Sequence, residues 1–412
     1  MGVFRMVAGI ATSRFARGAF VAAFVWVALV EVVEFTAGAL FGMQIDGDWY
    51  LLLAGSSSGD RSQFVRINAA PLALAVSVFA VASAAAAWAA FRSSRRVFVC
   101  ILAASAVAVA ARAASVGSIR AWKPVYVAFD TVRGARSYAQ VGDAGRWTPE
   151  RAAAAKPAPQ GATNYVFIVG ESMTTWRLPQ FGYAKDTTPR LSALGGALAA
   201  RGPVRAPSPY TVTSLIRLMV HDGVAAPVAF RMAGWHTGFL GAHAKRGRYC
   251  SIEVAIFSSC ERKVYLSDVN GDAKIYDEQV LPYVKEMTAQ EPFALFVHLM
   301  GSHFPPEERV PPGFAEGLGL DDYDRSVRYE DEVLARIVEM LPPRTELFFI
   351  SDHGESVDRG GWRDARSEAL WSVPLFAYPA SAAPESISDA DGFVEIWRSR
   401  LPQDAGHLGT MR

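Results

Sequence analysis

A chain of 412 residues with a formal net charge of +1 has room for two or three domains and lacks the charge excess that a nucleic-acid or other polyanionic partner calls for. Its hydrophobic content of 51% sits slightly above the usual globular share, and the surplus lies before residue 120. That distribution is a membrane signature.

Three early segments, 19–43, 69–91 and 97–119, are each long enough, at about 1.5 Å per helical residue, to cross a hydrocarbon core of roughly 30 Å. Arg5, Arg14 and Arg17 precede the first, and Ala37-Gly38-Ala39 resembles a cleavage site, so a removed signal peptide is the alternative there. Two further spans make a retained anchor the simpler reading. The N-terminal arginines and the Arg92, Arg95, Arg96 turn belong on the cytoplasmic side, which leaves everything after residue 120 across the membrane, in the periplasm or on the outer face of a bacterial cell. Glu31 and Glu34 interrupt the first span, where they either face a wetted groove or sit at interface level. Residues 113–140 mix arginines and aromatics among apolar residues, as a helix in the headgroup zone does. Residues 147–160, rich in Ala, Pro and Lys, read as a semi-rigid tether. The expected organisation is a membrane domain of three transmembrane helices (1–120), an interfacial helix and linker (121–160) and an exported domain (161–412).

In the exported part, short apolar strands at 165–169, 293–299, 347–351 and 373–378 alternate with helical stretches at 188–200, 275–289 and 324–341. This alternation predicts an α/β domain, a mainly parallel sheet covered by helices. Cys100 reads as an apolar filler within the third span. Cys250 and Cys260, ten positions apart in the exported portion, can close a disulfide worth on the order of 3 kcal/mol, the alternative being two free buried thiols.

Chemistry concentrates at strand ends. Residues 347–351 run straight into Asp352 and His353, followed by Gly354-Glu355-Ser356, and the strand Tyr165-Val166-Phe167-Ile168-Val169-Gly170 ends on Glu171 and Ser172. Two such strands deliver oxygen and nitrogen ligands to the edge where open α/β sheets bind ligands, outside the carboxyl ends of their strands. The segment from Pro207 to Met219 reads as a loop closing into a helix at Thr211. There a hydroxyl meets the positive end of the helix dipole and suits a nucleophile on phosphate, or else serves as an ordinary N-cap worth about 1 kcal/mol.

Taken in order, Glu171, Thr211 with Ser214, His298-Leu299-Met300-Gly301-Ser302-His303 and Asp352-His353-Gly354-Glu355-Ser356 resemble the alkaline phosphatase superfamily. Within it they resemble the phosphoethanolamine transferases of Gram-negative envelopes, which are similar to sulfatases in fold. Phe181-Gly182-Tyr183, Thr187-Thr188-Pro189 and 323–331 extend the match over roughly residues 163–378. The resemblance implies that Glu171, Asp352, His353 and Thr211 hold a zinc ion, that Thr211 is the nucleophile, and that His303 contacts the transferred headgroup or a second metal. His298 reads as the end of a strand that supports the site from behind, and Asp324 and Asp331 read as solvated helix charges. The implied reaction moves phosphoethanolamine from phosphatidylethanolamine, through a phospho-threonine intermediate, to an envelope acceptor such as lipid A or another glycan. The implied setting is the bacterial inner membrane, with a phospholipid donor and no nucleic acid. Same-fold transfer of phosphoglycerol, or a non-catalytic protein that binds lipid or a partner, are the alternatives. The nucleophile segment Thr211-Val212-Thr213-Ser214-Leu215 lacks the Cys or Ser followed by Pro-Ser-Arg of sulfatases, which does not fit sulfate-ester hydrolysis. The histidine that usually follows the Asp-His-Gly-Glu-Ser motif is absent until His407, so one zinc is expected rather than two, with Arg363 or Arg366 as substitute phosphate contacts.

Overall fold

The structure, a computed structural model, describes residues 13–41, 69–116, 140–243, 248–271, 273–359 and 364–402. The chain forms two compact units, Met1–Arg136 and Ser137–Arg412.

The first unit contains helices α1 (Arg14–Phe41), α2 (Ala69–Arg92) and α3 (Arg95–Val116). Runs of Ala, Val, Leu and Phe, with the only proline (Pro71) in a first turn, suit uninterrupted helix. Among the described residues, Arg14–Val33 and Ala69–Arg92 are the stretches long and apolar enough to cross a membrane. The third expected span is a 22-residue helix that begins with Arg95 and Arg96 and carries Arg112 near its end. Leu74, Val76, Val81 and Trp88 on α2 point outward, as side chains meant for lipid do. Arg17 of α1 donates to the carbonyls of Ala90 (2.5 Å) and Ser93 (3.1 Å) at the end of α2, and its guanidinium lies 4.9 Å from the ring centre of Phe98 on α3. One side chain thus satisfies orphan carbonyls of a helix terminus and joins all three helices. Glu31 is exposed, the side chain of Glu34 lies outside the described residues, and so does most of the anticipated headgroup-zone helix.

The second unit is built on β1 (Asn164–Gly170), β2 (Ala199–Arg205), a small hairpin β3 (Val220–His221) and β4 (Val224–Ala225), β5 (His236–Gly241), β6 (Arg262–Tyr265), β7 (Phe293–His298), β8 (Thr345–Ser351) and β9 (Ser372–Tyr378). Seven strands form one sheet in the order β2-β9-β8-β1-β7-β5-β6, parallel from β8 to β6, with β9 antiparallel to both of its neighbours. The predicted mainly parallel α/β sheet is the one that forms. Burial of β1 and β7 on both faces explains their near-continuous apolar sequence. Alternate side chains part into two cores: Phe167 stacks between Phe296 and Phe348, its register partners on the adjacent strands, at 5.5 and 5.7 Å. On the other face Ile168 joins Val297 and Phe349. Helices α4 (Thr211–Met219), α5 (Arg248–Ile256) and α8 (Ala390–Ser399) contribute to the Phe167 core, and α6 (Leu281–Met287) and α7 (Asp322–Met340) to the Ile168 core.

Several expectations are corrected. The helix anticipated over 188–200 ends at Ala193; Gly195 takes a positive φ of 53°, and the chain turns into edge strand β2. The helix anticipated from 275 is a single 3₁₀ turn followed by α6, and β5 and β6 were not anticipated at all. The tether carries a one-turn helix, Pro149–Ala154, capped by Thr148, and the Lys156 amide then bonds the carbonyl of Met232 at 2.8 Å, so its end is docked on the second unit. Cys260 is a buried free thiol, while the side chain of Cys250 lies outside the described residues. Asp324 and Asp331 are not solvated but fully buried on α7. Asp324 binds Arg177 and Lys185, each at 2.8 Å, and the Tyr183 hydroxyl at 3.0 Å. Asp331 accepts from the amides of Arg190 and Leu191 at 2.9 and 2.8 Å, which caps the helix Pro189–Ala193 from outside.

Candidate active site

Strand register assembles the first cluster. β1 and β8 are adjacent and parallel with Gly170 opposite Ser351, so the residues that follow, Glu171 and Asp352, leave the sheet side by side. Ser172 then adopts φ 63° without being glycine, a locally strained conformation. Its amide donates to Asp352 Oδ1 at 3.1 Å and its hydroxyl to Glu171 Oε1 at 2.9 Å. The bend is held from outside by Tyr323, whose hydroxyl donates to the Ser172 carbonyl at 2.5 Å. The Met173 amide donates to Ser351 Oγ at 2.8 Å. Gly354 follows because any Cβ there would lie 2.1 Å from the Ala369 carbonyl oxygen.

Glu171, Asp352 and His353 are all fully buried, with one donor atom from each within 4.8 Å of the others. His353 Nδ1 lies 2.7 Å from the Gly354 carbonyl, which makes it the protonated nitrogen. The same tautomer turns the Nε2 lone pair toward Glu171 Oε1 at 3.2 Å and Asp352 Oδ2 at 3.4 Å. Three electron-rich atoms facing one another in a buried pocket repel unless a cation stands among them, so the donor set fits a divalent metal. A backbone carbonyl that orients a histidine ligand is also a common outer-sphere arrangement.

Thr211 completes the cluster. It is the first residue of α4, whose N-cap is Tyr210 with no side-chain cap, so Thr211 is not the N-cap considered from sequence. Its hydroxyl donates to Glu171 Oε2 at 2.9 Å, where the first-turn amides of α4 and the helix dipole favour negative charge. The Thr211 oxygen and the three ligand-type residues, 40 to 142 positions away in the chain, therefore share one pocket.

The other anticipated residues are placed as follows. His303 is half-buried, with Nδ1 2.7 Å from the Phe304 carbonyl, and its ring centre lies 6.3 Å from that of His243. His298 closes β7 and its Nδ1 pairs with Glu253 of α5. Arg366 forks onto Asp364 at 2.7 and 2.6 Å, which occupies the group proposed as a phosphate contact, and Arg363 lies outside the described residues.

Four groups near the site were missed by sequence reasoning. His243, just beyond β5, stacks on His298 at 4.1 Å, and burial, helped by His298, holds its imidazole down at about 4, hence neutral at pH 7. Burial opposes the charged form of His298 as well, yet the Glu253 carboxylate raises it above the ordinary value. Glu330 on α7 is fully buried, and burial together with the charges of Asp277, Asp352 and Glu171 pushes its carboxyl well above the usual range. Arg309 donates to the His303 carbonyl at 3.1 Å, and burial lowers its guanidinium. Asp277 accepts from the amides of Met300 and Gly301, both at 2.8 Å, which ties down the loop that carries His303. A signal for His243 did exist, since it stands beyond an apolar run at the same sheet edge, but β5 had to be recognised first.

The chain also has recognisable relatives. The sulfatase family profile matches residues 163–395. Phosphoethanolamine transferase EptC of Escherichia coli (strain K12) is 27% identical over 281 residues, covering 58% of this chain and 46% of that protein. The integral membrane protein lipooligosaccharide phosphoethanolamine transferase A (EptA) from Neisseria meningitidis superposes with a TM-score of 0.56 at 15% identity, over 93% of this chain and 86% of that one. The zinc complex of the periplasmic domain of EptC from Escherichia coli superposes with a TM-score of 0.50 at 20% identity, over 60% and 86%. The chain spans about half the length of the curated relatives it matches. With more than half of its residues inside the matched region, and with the sheet and strand-end carboxylates described above, this chain belongs to the sulfatase family.

Proposed function

We propose that the protein is a membrane-anchored phosphoethanolamine transferase that carries the group on Thr211. The observation that supports this most directly is the Thr211 hydroxyl at the start of α4, 2.9 Å from a Glu171 carboxylate that shares its pocket with Asp352 and His353. Glu171, Asp352, His353 and Thr211 would hold one zinc ion, in keeping with the zinc complex known for the EptC domain. When bound, zinc would lower the hydroxyl pKa and offset charge that builds on phosphoryl oxygens.

The work of the chain itself follows from its geometry. The proton of Thr211 lies along the bond to Glu171 Oε2, so Oγ1 is poised to lose it as it bonds to the donor phosphorus. The bond from phosphorus to the diacylglycerol oxygen breaks, and that oxygen takes up a proton as it leaves. A hydroxyl of the acceptor, lipid A or another envelope glycan, then bonds to the phosphorus and releases Thr211. Donor and acceptor are thereby converted to diacylglycerol and phosphoethanolamine-modified acceptor, with no net gain or loss of atoms. His303 is assigned to the headgroup. The apolar helices of the first unit would anchor the chain in the inner membrane, with the catalytic unit in the periplasm.

The test compares envelope lipids, by intact mass, from cells that express the wild-type chain or Thr211→Ala. A phosphoethanolamine increment that disappears in the variant supports the proposal, and identical lipid profiles in both refute it.

A further inference from the structure

Beside the cluster assigned to zinc lies a second group of metal-ligand type. Glu171, His243 and His298 each offer a donor atom, all within 4.8 Å of one another. The fold accounts for it: β5 and β7 are adjacent and parallel with Gly241 opposite His298, so the chain beyond β5 brings His243 over the end of β7. The two imidazoles stack at 4.1 Å with 17° between their planes, and His243 Nε2 is 4.0 Å from Glu171 Oε2.

The bonding of His298 points to a ligand. Its Nδ1 is engaged by Glu253, itself only 3% exposed, and this contact marks Nδ1 as the nitrogen that donates. Nε2 is buried and has no hydrogen-bond partner among the described residues. An imidazole nitrogen in that situation forfeits an interaction that water would supply, whereas a cation uses its lone pair directly. Carboxylate, histidine and metal in that order is how proteins fix the tautomer and orientation of histidine ligands. His243 Nε2 now lies 2.9 Å from the Leu299 carbonyl, so ligation by that atom exchanges one neutral hydrogen bond for a coordination bond.

We propose that Glu171, His243 and His298 form a second divalent-cation site, zinc being the cation that suits two imidazoles and a carboxylate, with Glu253 orienting His298. Three protein ligands leave a coordination position open, as catalytic rather than structural zinc sites do. Because Glu171 belongs to both clusters, a second cation would be held beside the first and would supply further positive charge toward a phosphoryl group. The inference rests on the preceding reading only in treating Glu171 as a ligand of the first ion.

The measurement is zinc per chain by elemental analysis of the purified full-length protein after dialysis against zinc and then zinc-free buffer. Wild type, His243→Ala and His353→Ala are compared, with thermal unfolding as a check that each is folded. Two ions in wild type and one in each variant is the expected result. One ion, lost in His353→Ala and kept in His243→Ala, overturns the second site and leaves the first intact. One ion with the opposite pattern upholds this site and removes the metal from the proposed function. No ion in wild type overturns both. Should His243→Ala not fold, Glu253→Gln keeps all ligands and is expected to weaken binding of one of the two ions by about 10–100-fold, whereas two ions of unchanged affinity in that variant overturn the proposal.

Discussion

Replacement of Asp324 by alanine tests whether the charges on α7 are structural. Its carboxylate is fully buried and binds Arg177 and Lys185 at 2.8 Å and the Tyr183 hydroxyl at 3.0 Å, while the Arg177 guanidinium is itself only 18% exposed. Removal of one partner of a buried pair typically costs about 3–5 kcal/mol, because the other charge stays desolvated. Here Arg177 retains Asp321, about half exposed, at 2.8 Å, and Lys185, 41% exposed, can turn into water, so the lower end, about 3 kcal/mol, applies. For a unit of this size that is a fall of about 6–12 °C in Tm. Tryptophan fluorescence of the full chain in detergent, at about 0.15 M and 1 M salt, reads it out. The same loss is expected at both, since buried pairs are screened little. A shift below about 2 °C, or one that vanishes in high salt, would show that the acid is solvated after all and would refute the burial argument.

At the site, Thr211→Ala should lower transfer by at least about 10⁴-fold with little change in Tm, because loss of a nucleophile removes the covalent route while the residue is only half-buried. Retention of more than about a tenth of wild-type activity would point to another nucleophile. Chelation should lower the Tm of wild type far more than that of His353→Ala, by up to about 4 kcal/mol in stability when zinc had been present at about a thousandfold over its Kd. Equal shifts would mean that His353 is no ligand. Burial raises the Asp331 carboxyl from 3.8 to about 6, despite the two amides that pull it down. A raised acid contributes stability that is full below about pH 4 and lost as pH rises through about 6. Urea midpoints of wild type should therefore decline relative to Asp331→Asn between those values, and parallel profiles would contradict the assignment.

Much of the fold was legible because burial leaves a mark in composition. Strands β1, β7 and β8, and with them antiparallel β9, read as apolar runs, since strands covered on both faces have little room for polar residues. Glu171, Asp352 and His353 could be singled out because each interrupts or ends such a run. β5 escaped notice: His236-Thr237-Gly238-Phe239-Leu240-Gly241 is short and glycine-rich, and only its place between β6 and β7 makes it a buried strand. The same holds for Asp324 and Asp331, whose charge alone suggests solvent.

Local order, then, sets which side chains stand at strand ends and where helix α4 opens with a threonine, because strand period, helix caps and apolar runs are properties of neighbouring residues. Which of those ends meet is a property of the sheet. The parallel register of β1 with β8 joins Glu171 to Asp352 and His353, that of β5 with β7 stacks His243 on His298, and α5 supplies Glu253 from 45 positions away. Long-range pairing of this kind depends on the packing of the entire domain, so it leaves no trace in any one stretch of chain.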